Sequence, residues 1–246
     1  MKLNFSFKKA YNDLFSNKKY IWQLLSFTLI YFILNVLEII LKCKDSSGFG
    51  YTILFGYLCL MANNIIQEKE PVLANIFNKK WNIFWIGWKN GIVEIIYCAA
   101  LMIPGYLIVI SLKHYYGIKI LFGIILLCIT FLPLIIFIWV SSFILFSENL
   151  SITESFNLIK SFKSFKYVWK EYLFSSSLYV ICFTLMYVIY AIFHIFFKNF
   201  YFDQTANLVM YSFLVISNYF CLHFIAQSYK YSLSKINPQE SELQNA

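Results

Sequence analysis

Apolar residues fall in six long runs, separated by shorter stretches that hold most of the polar and charged residues. A helix needs roughly 17–25 mostly apolar residues to cross the hydrocarbon core of a bilayer. The runs that meet this length are residues 21–41, 49–66, 91–112, 120–146, 174–197 and 205–229. The pattern predicts an all-α integral membrane protein with six transmembrane helices, arranged as three hairpins in a single domain over residues 1–235. We expect residues 236–246 to be a short, polar, disordered tail.

The lysines lie unequally on the two sides of these spans. Fifteen of the 20 lysines fall in the two tails and in alternate loops, the other five fall in the remaining loops, and arginine is absent. Loops that carry positive charge stay on the cytoplasmic side of a membrane. An even number of spans also puts both lysine-bearing tails on one side. We therefore expect a multi-pass plasma-membrane protein with cytoplasmic N- and C-termini.

Amphipathic runs precede the first, third and fifth spans. Their apolar positions are Phe7, Tyr11, Leu14 and Phe15 in the first run and Leu158, Phe162, Phe165 and Trp169 in the last, while the middle run, residues 72–84, is weaker. Ser151 and Glu154 form a capping box that would begin the last of these helices. Each run leads into lysine and aromatic residues, at 17–22, 78–81 and 166–169. This pattern predicts cytoplasmic interfacial helices that contact anionic lipid headgroups. The recurrence indicates either a threefold repeat or three hairpins that share the same kind of base.

Composition agrees with a membrane protein and excludes several other classes. Apolar residues make up 60% of the chain and charged residues 13%, against about 45–50% and about 25% in soluble domains. The net charge of +8 comes from lysines that border apolar spans, so we expect no nucleic-acid partner. Five cysteines lie inside the apolar spans, Cys43 lies in a predicted outer loop, and no histidine has ligand-type spacing to them. The sequence therefore predicts no disulfide, metal or cofactor.

Polar side chains at membrane depth are the candidate functional residues. Near the cytoplasmic ends of the spans they form one predicted cluster, which consists of Glu94, His223, Asn63, Asn64, Glu148 and Gln227. One interpretation is a polar vestibule open to the cytoplasm, or a proton-linked site. The other is a set of interhelical hydrogen bonds that fix helix packing.

Two further features have both a functional and a structural interpretation. Glu38 and His194 lie at similar depth near the outer face, although Glu38 could instead pair with Lys42 four residues later. Pro104 and Pro133 each lie about 13 residues into their spans, and at about 1.5 Å per residue both reach the midplane. Paired interruptions at one depth indicate a transporter site, although proline is also common in membrane helices.

Several segments together resemble a known family. They are Gly56–Leu58, Met61–Ile66, Glu68–Leu73, Phe84 with Gly87–Lys89, Ile96-Tyr97 with Pro104, and the closing residues His223–Lys230. Together they are similar to the uncharacterised prokaryotic membrane family called domain of unknown function 4013. The resemblance implies a six-helix membrane fold and supplies no activity or catalytic residues. The proline-rich loop of that family is reduced here to Pro71, so the alignment of the middle interfacial helix stays open.

No phosphate-binding loop, zinc-protease motif or serine-hydrolase motif occurs in the chain. The first hypothesis is therefore a non-enzymatic membrane protein, related to transport or acting as an envelope assembly partner. The second is the permease subunit of an exporter driven by a separate ATPase, with residues 152–169 as its coupling helix. The third is an intramembrane enzyme that modifies lipid, which would need Glu94 and His223 to act together.

Overall fold

A computed structural model describes residues 5–41, 47–69, 72–73, 82–97, 99–100, 138, 140–196 and 200–236. Regular structure in these ranges is entirely helical, and they contain no strand. The prediction of an all-α protein is therefore confirmed for the described residues. Pro104 and Pro133 lie outside these ranges, as do most of the predicted third and fourth spans and the tail after Ile236.

The helices follow the predicted runs where both can be compared. They are α1 (Phe7–Phe15), α2 (Lys18–Leu41), α3 (Ser47–Ile66), α4 (82–97), α5 (140–149), a 3₁₀ turn (Glu154–Phe156), α6 (Leu158–Phe196) and α7 (Phe200–Ile236). In the described part of the chain, two stretches are long and apolar enough to cross a membrane by length and composition, Leu158–Ile189 and Leu208–Ile236. A shorter apolar stretch covers Thr52–Ile66. The six-span topology stays a prediction.

The first two helices meet within the first lysine-aromatic stretch. Ser6 caps α1, since its Oγ accepts a hydrogen bond from the Lys9 amide at 3.2 Å. The chain then turns at Ser16 and Asn17, and Asn17 Oδ1 accepts from the Lys19 amide at 2.9 Å. Side chains of this kind satisfy the free amides of a first helical turn. The chain therefore begins a new helix, α2, close to where the first span was predicted.

A second break lies inside α6. Val168 has φ −129° and ψ 18°, which is not helical, so α6 consists of a short first part and a long second part. The first part is capped by Asn157, whose Oδ1 accepts from the Lys160 amide at 3.1 Å. The predicted capping box of Ser151 and Glu154 is wrong. A 3₁₀ turn separates that segment from α6, and Ser151 Oγ instead lies 2.9 Å from Thr153 Oγ1.

Helix α7 is central to the packing. It contacts α1, α2, α3 and α6, and its contact with α6 is the most extensive. Large side chains such as Tyr57 and Tyr219 are fully buried in the core, and the rings of Phe27 and Tyr57 lie 5.2 Å apart. This packing brings the lysine-rich ends of the helices together with α1.

Helices α3 and α4 cross at two glycines. A Cβ atom on Gly56 would overlap the Ile83 carbonyl oxygen and lie 2.7 Å from the Gly87 nitrogen. A Cβ atom on Gly87 would overlap the Thr52 carbonyl oxygen. Small residues permit this close backbone approach between helices. The crossing sets the position of α4 and of the polar residues that it carries.

Candidate functional site: the inner polar cluster

The described contacts place four of the six residues of the predicted inner cluster in two hydrogen-bonded groups. His223 and Gln227 bind the α1 segment. Asn63 and Glu148 join the ends of α3, α5, α6 and α7. Asn64 Nδ2 donates to the Val72 carbonyl at 3.0 Å, and Glu94 Oε1 accepts from Asn90 Nδ2 within α4 at 2.7 Å.

His223 connects the last helix to the first. Its Nε2 lies 2.8 Å from Asp13 Oδ2, and its Nδ1 lies 2.8 Å from Gln227 Nε2. Because an amide nitrogen donates, Nδ1 is the acceptor and Nε2 carries the proton toward Asp13. Gln227 Oε1 in turn accepts from the Ser6 amide at 3.1 Å, and this bond fixes the orientation of the Gln227 amide. Both ring nitrogens of His223 are therefore engaged in hydrogen bonds.

Further contacts hold the α1 segment on α7. The Tyr219 hydroxyl donates to the Ala10 carbonyl at 2.9 Å. The ring of Phe224 stacks on Phe5 at 4.7 Å and meets the edge of Phe7 at 4.3 Å. Ala10 and Leu14 are buried beneath the helix. One face of α1 is therefore a protein contact.

The side-chain amide of Asn63 hydrogen-bonds to the last carbonyl groups of helix α5. Its Nδ2 donates to the carbonyls of Ser147 and Glu148, each at 2.8 Å, and Gln67 Nε2 adds a bond to the Glu148 carbonyl at 3.3 Å. The last carbonyls of a helix have no partner within the helix itself. The α3 amides supply those partners for α5, so this group fixes the register of α3 against α5.

The Glu148 side chain binds two further helices. Its Oε1 forms an ion pair with Lys160 Nζ at 2.7 Å, and its Oε2 accepts from the Tyr229 hydroxyl at 2.8 Å. A carboxylate that is mostly buried, as here at 12% side-chain exposure, needs such partners to offset the loss of hydration. Glu148 therefore joins α5 to the first part of α6 and to the inner end of α7.

An exposed ion pair lies next to this group. Glu68, just after α3, contacts Lys230 on α7. The hydrogen bond and the charge of Lys230 lower the pKa of the Glu68 carboxyl, and Lys9 on α1 adds to the effect. Glu68 has φ 55°, the left-handed conformation that often ends a helix, and the Lys69 amide reaches back to the Asn64 carbonyl at 2.9 Å.

The chemistry open to these groups is limited by their partners. Both nitrogens of His223 are occupied, and the Glu148 carboxylate is held by a lysine and a tyrosine. Within the described residues, no three histidine, cysteine, aspartate or glutamate side chains are grouped so as to hold a metal ion. Glu38 and His194 belong to α2 and α6, but their side chains lie outside the described part of the structure.

Sequence reasoning missed three members of these groups: Asp13, Lys160 and Tyr229. Asp13 lies 210 positions from His223, and no short-range spacing connects the two. In the sequence, Lys160 lies within the last amphipathic run and Tyr229 is the last residue of the predicted sixth span. The available signal was that each lies at the same predicted level as Glu148 or His223.

Comparisons of this chain with known protein families, with curated proteins and with solved structures found no match.

Proposed function

We propose that this chain is a non-enzymatic, multi-pass plasma-membrane protein, related to transport or acting as an envelope assembly partner, with its lysine-rich side in the cytoplasm. The observation that carries the proposal is the placement of apolar side chains on the outside of the helices and of small polar side chains between them. Lipid tails are a suitable solvent for such a surface, and water is not.

The outer face of α2 supports this proposal. Trp22, Leu25, Leu29, Ile33 and Leu37 follow one another at helical spacing, and all are exposed, Trp22 at 71%. Contiguous exposed apolar surface of this length is rare in soluble monomers. Helix α6 continues the pattern with Val180, Ile181, Leu185, Val188 and Ile192, which are also exposed.

The first part of α6 is polar inside and apolar outside. Ser161 and Ser164 are buried against the rest of the protein, whereas Leu158, Ile159 and Phe162 are exposed, Ile159 at 71%. A helix on a soluble protein has the opposite arrangement. Because Lys163 and Lys166 flank the exposed apolar side chains, this segment suits the headgroup region of an anionic membrane surface.

Helix α1, like the first part of α6, has a buried face, an exposed apolar face and a face that carries lysines. At 100° per residue, Ala10, Asp13 and Leu14 share the sector that faces α7. The adjacent sector carries Phe7, Tyr11 and Phe15, which are exposed, and the rings of Tyr11 and Phe15 stack at 4.2 Å. Lys8 and Lys9 occupy the remaining sector. We infer that the aromatic sector lies in the lipid interface beside its lysines.

Exposed tryptophans lie on the same proposed interfacial surface as the aromatic sector of α1. All four tryptophans in the described ranges are exposed: Trp22, Trp85, Trp88 and Trp169. Tryptophan concentrates at membrane–water interfaces, where one ring has both apolar and polar neighbours. Their positions next to the predicted cytoplasmic ends of the spans support the proposed orientation.

Lipids brominated at defined depths test this proposal. Each tryptophan is kept singly, with the others replaced by phenylalanine, in reconstituted vesicles. We expect bromines near the headgroup end to quench Trp22 and Trp169 more strongly than bromines near the chain terminus. Quenching by aqueous acrylamide with no effect of the brominated lipids would contradict lipid contact.

The exporter hypothesis rests on the kink at Val168. This break separates a short helix on the lysine-rich side from the long part of α6, and a coupling helix for an ATPase requires such a segment. Co-purification with an ATPase that depends on Phe162 and Ile159 would favour this alternative. The lipid-enzyme hypothesis receives no comparable support, because the ring nitrogens of His223 are engaged by Asp13 and Gln227.

A further inference from the structure

Two short helices of the chain begin with the same kind of cap. Ser6 Oγ accepts from the Lys9 amide at 3.2 Å at the start of α1, and Asn157 Oδ1 accepts from the Lys160 amide at 3.1 Å at the start of α6. In both, the side-chain oxygen of the cap binds the amide of the third helical residue. The two caps are 151 positions apart in the sequence.

The two short helices also end at the same distance from their caps. Helix α1 gives way to α2 at Asn17, and the non-helical backbone at Val168 divides α6 into a short and a long part. Asn17 and Val168 are again 151 positions apart. A cap, a short helix, a break and a long apolar helix therefore occur twice, in the same order and with the same spacing. We call α1 and the first part of α6, residues 158–167, the two surface helices.

The two surface helices bury and expose corresponding positions. Ala10 on α1 and Ser161 on α6 correspond at the offset of 151 residues, and both are buried. The exposed apolar side chains correspond in the same way, and they are Phe7 with Leu158 and Tyr11 with Phe162. Exposed lysines lie beside them, and these are Lys8 and Lys9 on α1 and Lys163 and Lys166 on α6. Each surface helix therefore presents a buried side to the protein and an apolar, basic side to its surroundings.

Both surface helices bind α7 through the same position. Asp13 Oδ2 lies 2.8 Å from His223 Nε2, and its counterpart Ser164 has its Oγ 2.7 Å from Ser232 Oγ. His223 and Ser232 are nine residues apart on α7. At about 100° per residue, this separation puts the two contacts on opposite sides of the helix. The inner end of α7 is therefore held between the two surface helices.

The exposed side of each surface helix suits one kind of partner. An acidic peptide or free phosphate would pair with the lysines but would leave the apolar side chains in water. A lipid without net charge would cover the apolar side chains but would not attract the ammonium groups by charge. An anionic phospholipid supplies both an acyl phase and a negative headgroup.

We propose that the two surface helices are copies of one structural unit, that each binds anionic phospholipid, and that the bound lipid holds them against opposite sides of α7. This inference rests on the proposed membrane location of the helices. It adds to that location a class of lipid, a site that occurs twice, and a role for the lipid in fixing α7. Because a ligand that binds only the assembled arrangement stabilises it, anionic lipid should stabilise the fold.

Tryptophans next to the surface helices report on lipid binding at each one. Trp22 follows α1 and Trp169 follows the break in α6, and both are exposed. The full chain, with one of these tryptophans retained and the other five replaced by phenylalanine, is reconstituted in phosphatidylcholine vesicles. The vesicles contain equal mole fractions of either brominated phosphatidylglycerol or brominated phosphatidylcholine. We expect the brominated phosphatidylglycerol to quench each tryptophan at least about twofold more strongly, because lysines attract its headgroup.

Lysine substitutions assign the preference to each surface helix. Lys8→Gln with Lys9→Gln should lower the preference at the tryptophan that follows α1 and leave the other tryptophan unchanged. Lys163→Gln with Lys166→Gln should have the converse effect. Lys235→Gln is the control, since this exposed lysine of α7 belongs to neither surface helix, and it should change neither tryptophan.

The possible outcomes separate the lipid site from the membrane location. Equal quenching by the two brominated lipids at both tryptophans would overturn the anionic-lipid site while leaving the membrane location intact. A preference at only one tryptophan would overturn the equivalence of the two surface helices. If neither lipid quenches either tryptophan, the membrane location fails, and this inference fails with it.

The unfolding temperature of the unsubstituted chain tests the role of the lipid at α7. It is measured in phosphatidylcholine vesicles with and without phosphatidylglycerol, and we expect a higher value when the anionic lipid is present. The same unfolding temperature in both kinds of vesicle would show that bound lipid does not hold the surface helices on α7, and would overturn that part of the proposal.

Discussion

His223 Nε2 lies 2.8 Å from Asp13 Oδ2, and this contact joins the first and last described helices across 210 positions of the chain. His223 is completely buried, so removal of its acceptor leaves a buried N–H unsatisfied. We predict that Asp13→Ala lowers the free energy of unfolding by about 1–3 kcal/mol. Thermal unfolding in detergent measures this loss, and faster tryptic cleavage at Lys8 and Lys9 would report release of α1.

Two variants serve as controls for the Asp13 contact. Asp13→Asn keeps an oxygen acceptor for Nε2 and should retain most of the stability. Asn12→Ala changes an exposed neighbour on the same helix and should have little effect. Equal destabilisation by Asp13→Ala and Asn12→Ala would show that the histidine contact contributes nothing specific.

The crossing of α3 and α4 predicts strong sensitivity to one methyl group. Gly56→Ala and Gly87→Ala place a Cβ atom against backbone of the opposite helix. Over-packing of this kind costs about 1–3 kcal/mol or more, and rigid backbone cannot move aside as a side chain could. Gly91→Ala is the matched control, since a Cβ there meets nothing within 4 Å. Unfolding temperatures that rank Gly91→Ala with the other two would refute the close crossing.

Asn63 is predicted to act as a donor to the end of α5. Asn63→Asp replaces the amide nitrogen by an oxygen that would face the carbonyls of Ser147 and Glu148. It should therefore destabilise the protein more than Asn63→Ala does, although aspartate has nearly the shape of asparagine. Gln67→Ala removes an exposed, longer bond to the same carbonyl and should cost little. A stability of Asn63→Asp at or above that of Asn63→Ala would contradict the donor role.

The Glu68–Lys230 pair predicts a small dependence of stability on pH. The pKa of Glu68 is lowered in the folded protein, so the pair stabilises the fold above the unfolded-state pKa of the carboxyl. That contribution is lost as the pH falls through the lower, folded-state pKa. Because Glu68 is exposed, we expect at most about 1 kcal/mol. Glu68→Gln should remove this part of the acid dependence, and an unchanged pH profile of the unfolding temperature would exclude it.

The helices could be predicted because the apolar runs are long and uniform in hydropathy. The chain breaks near Asn17 and at Val168 both fall in lysine-aromatic stretches that the sequence already marked. The sequence predicts the wrong cap for α6 because serine and asparagine have similar capping chemistry. The 3₁₀ turn at Glu154–Phe156 lies between the two residues, so α6 begins after Asn157, and Asn157 is its cap.

The candidate site was less predictable because its contacts depend on helix packing. Depth along the predicted spans places Asn63 and Glu148 at one level, and the structure shows the two residues in contact. Rotation of each helix about its axis cannot be read from a uniformly apolar run, so Glu94 and His223 could not be assigned to different groups. The partner of Gly56 is on another helix, and no spacing within α3 identifies Gly87.

Cysteine labelling of intact cells tests the proposed topology most directly. The first variant retains native Cys43, which lies in the predicted outer loop, and has alanine in place of the other five cysteines. A second variant lacks Cys43 and carries Lys163→Cys on the lysine-rich side. A membrane-impermeant maleimide should label Cys43 in intact cells and should label Lys163→Cys only after the membrane is opened. Labelling of Lys163→Cys in intact cells, with Cys43 protected, would contradict the orientation, and recovery of both variants in the soluble fraction would contradict the membrane location.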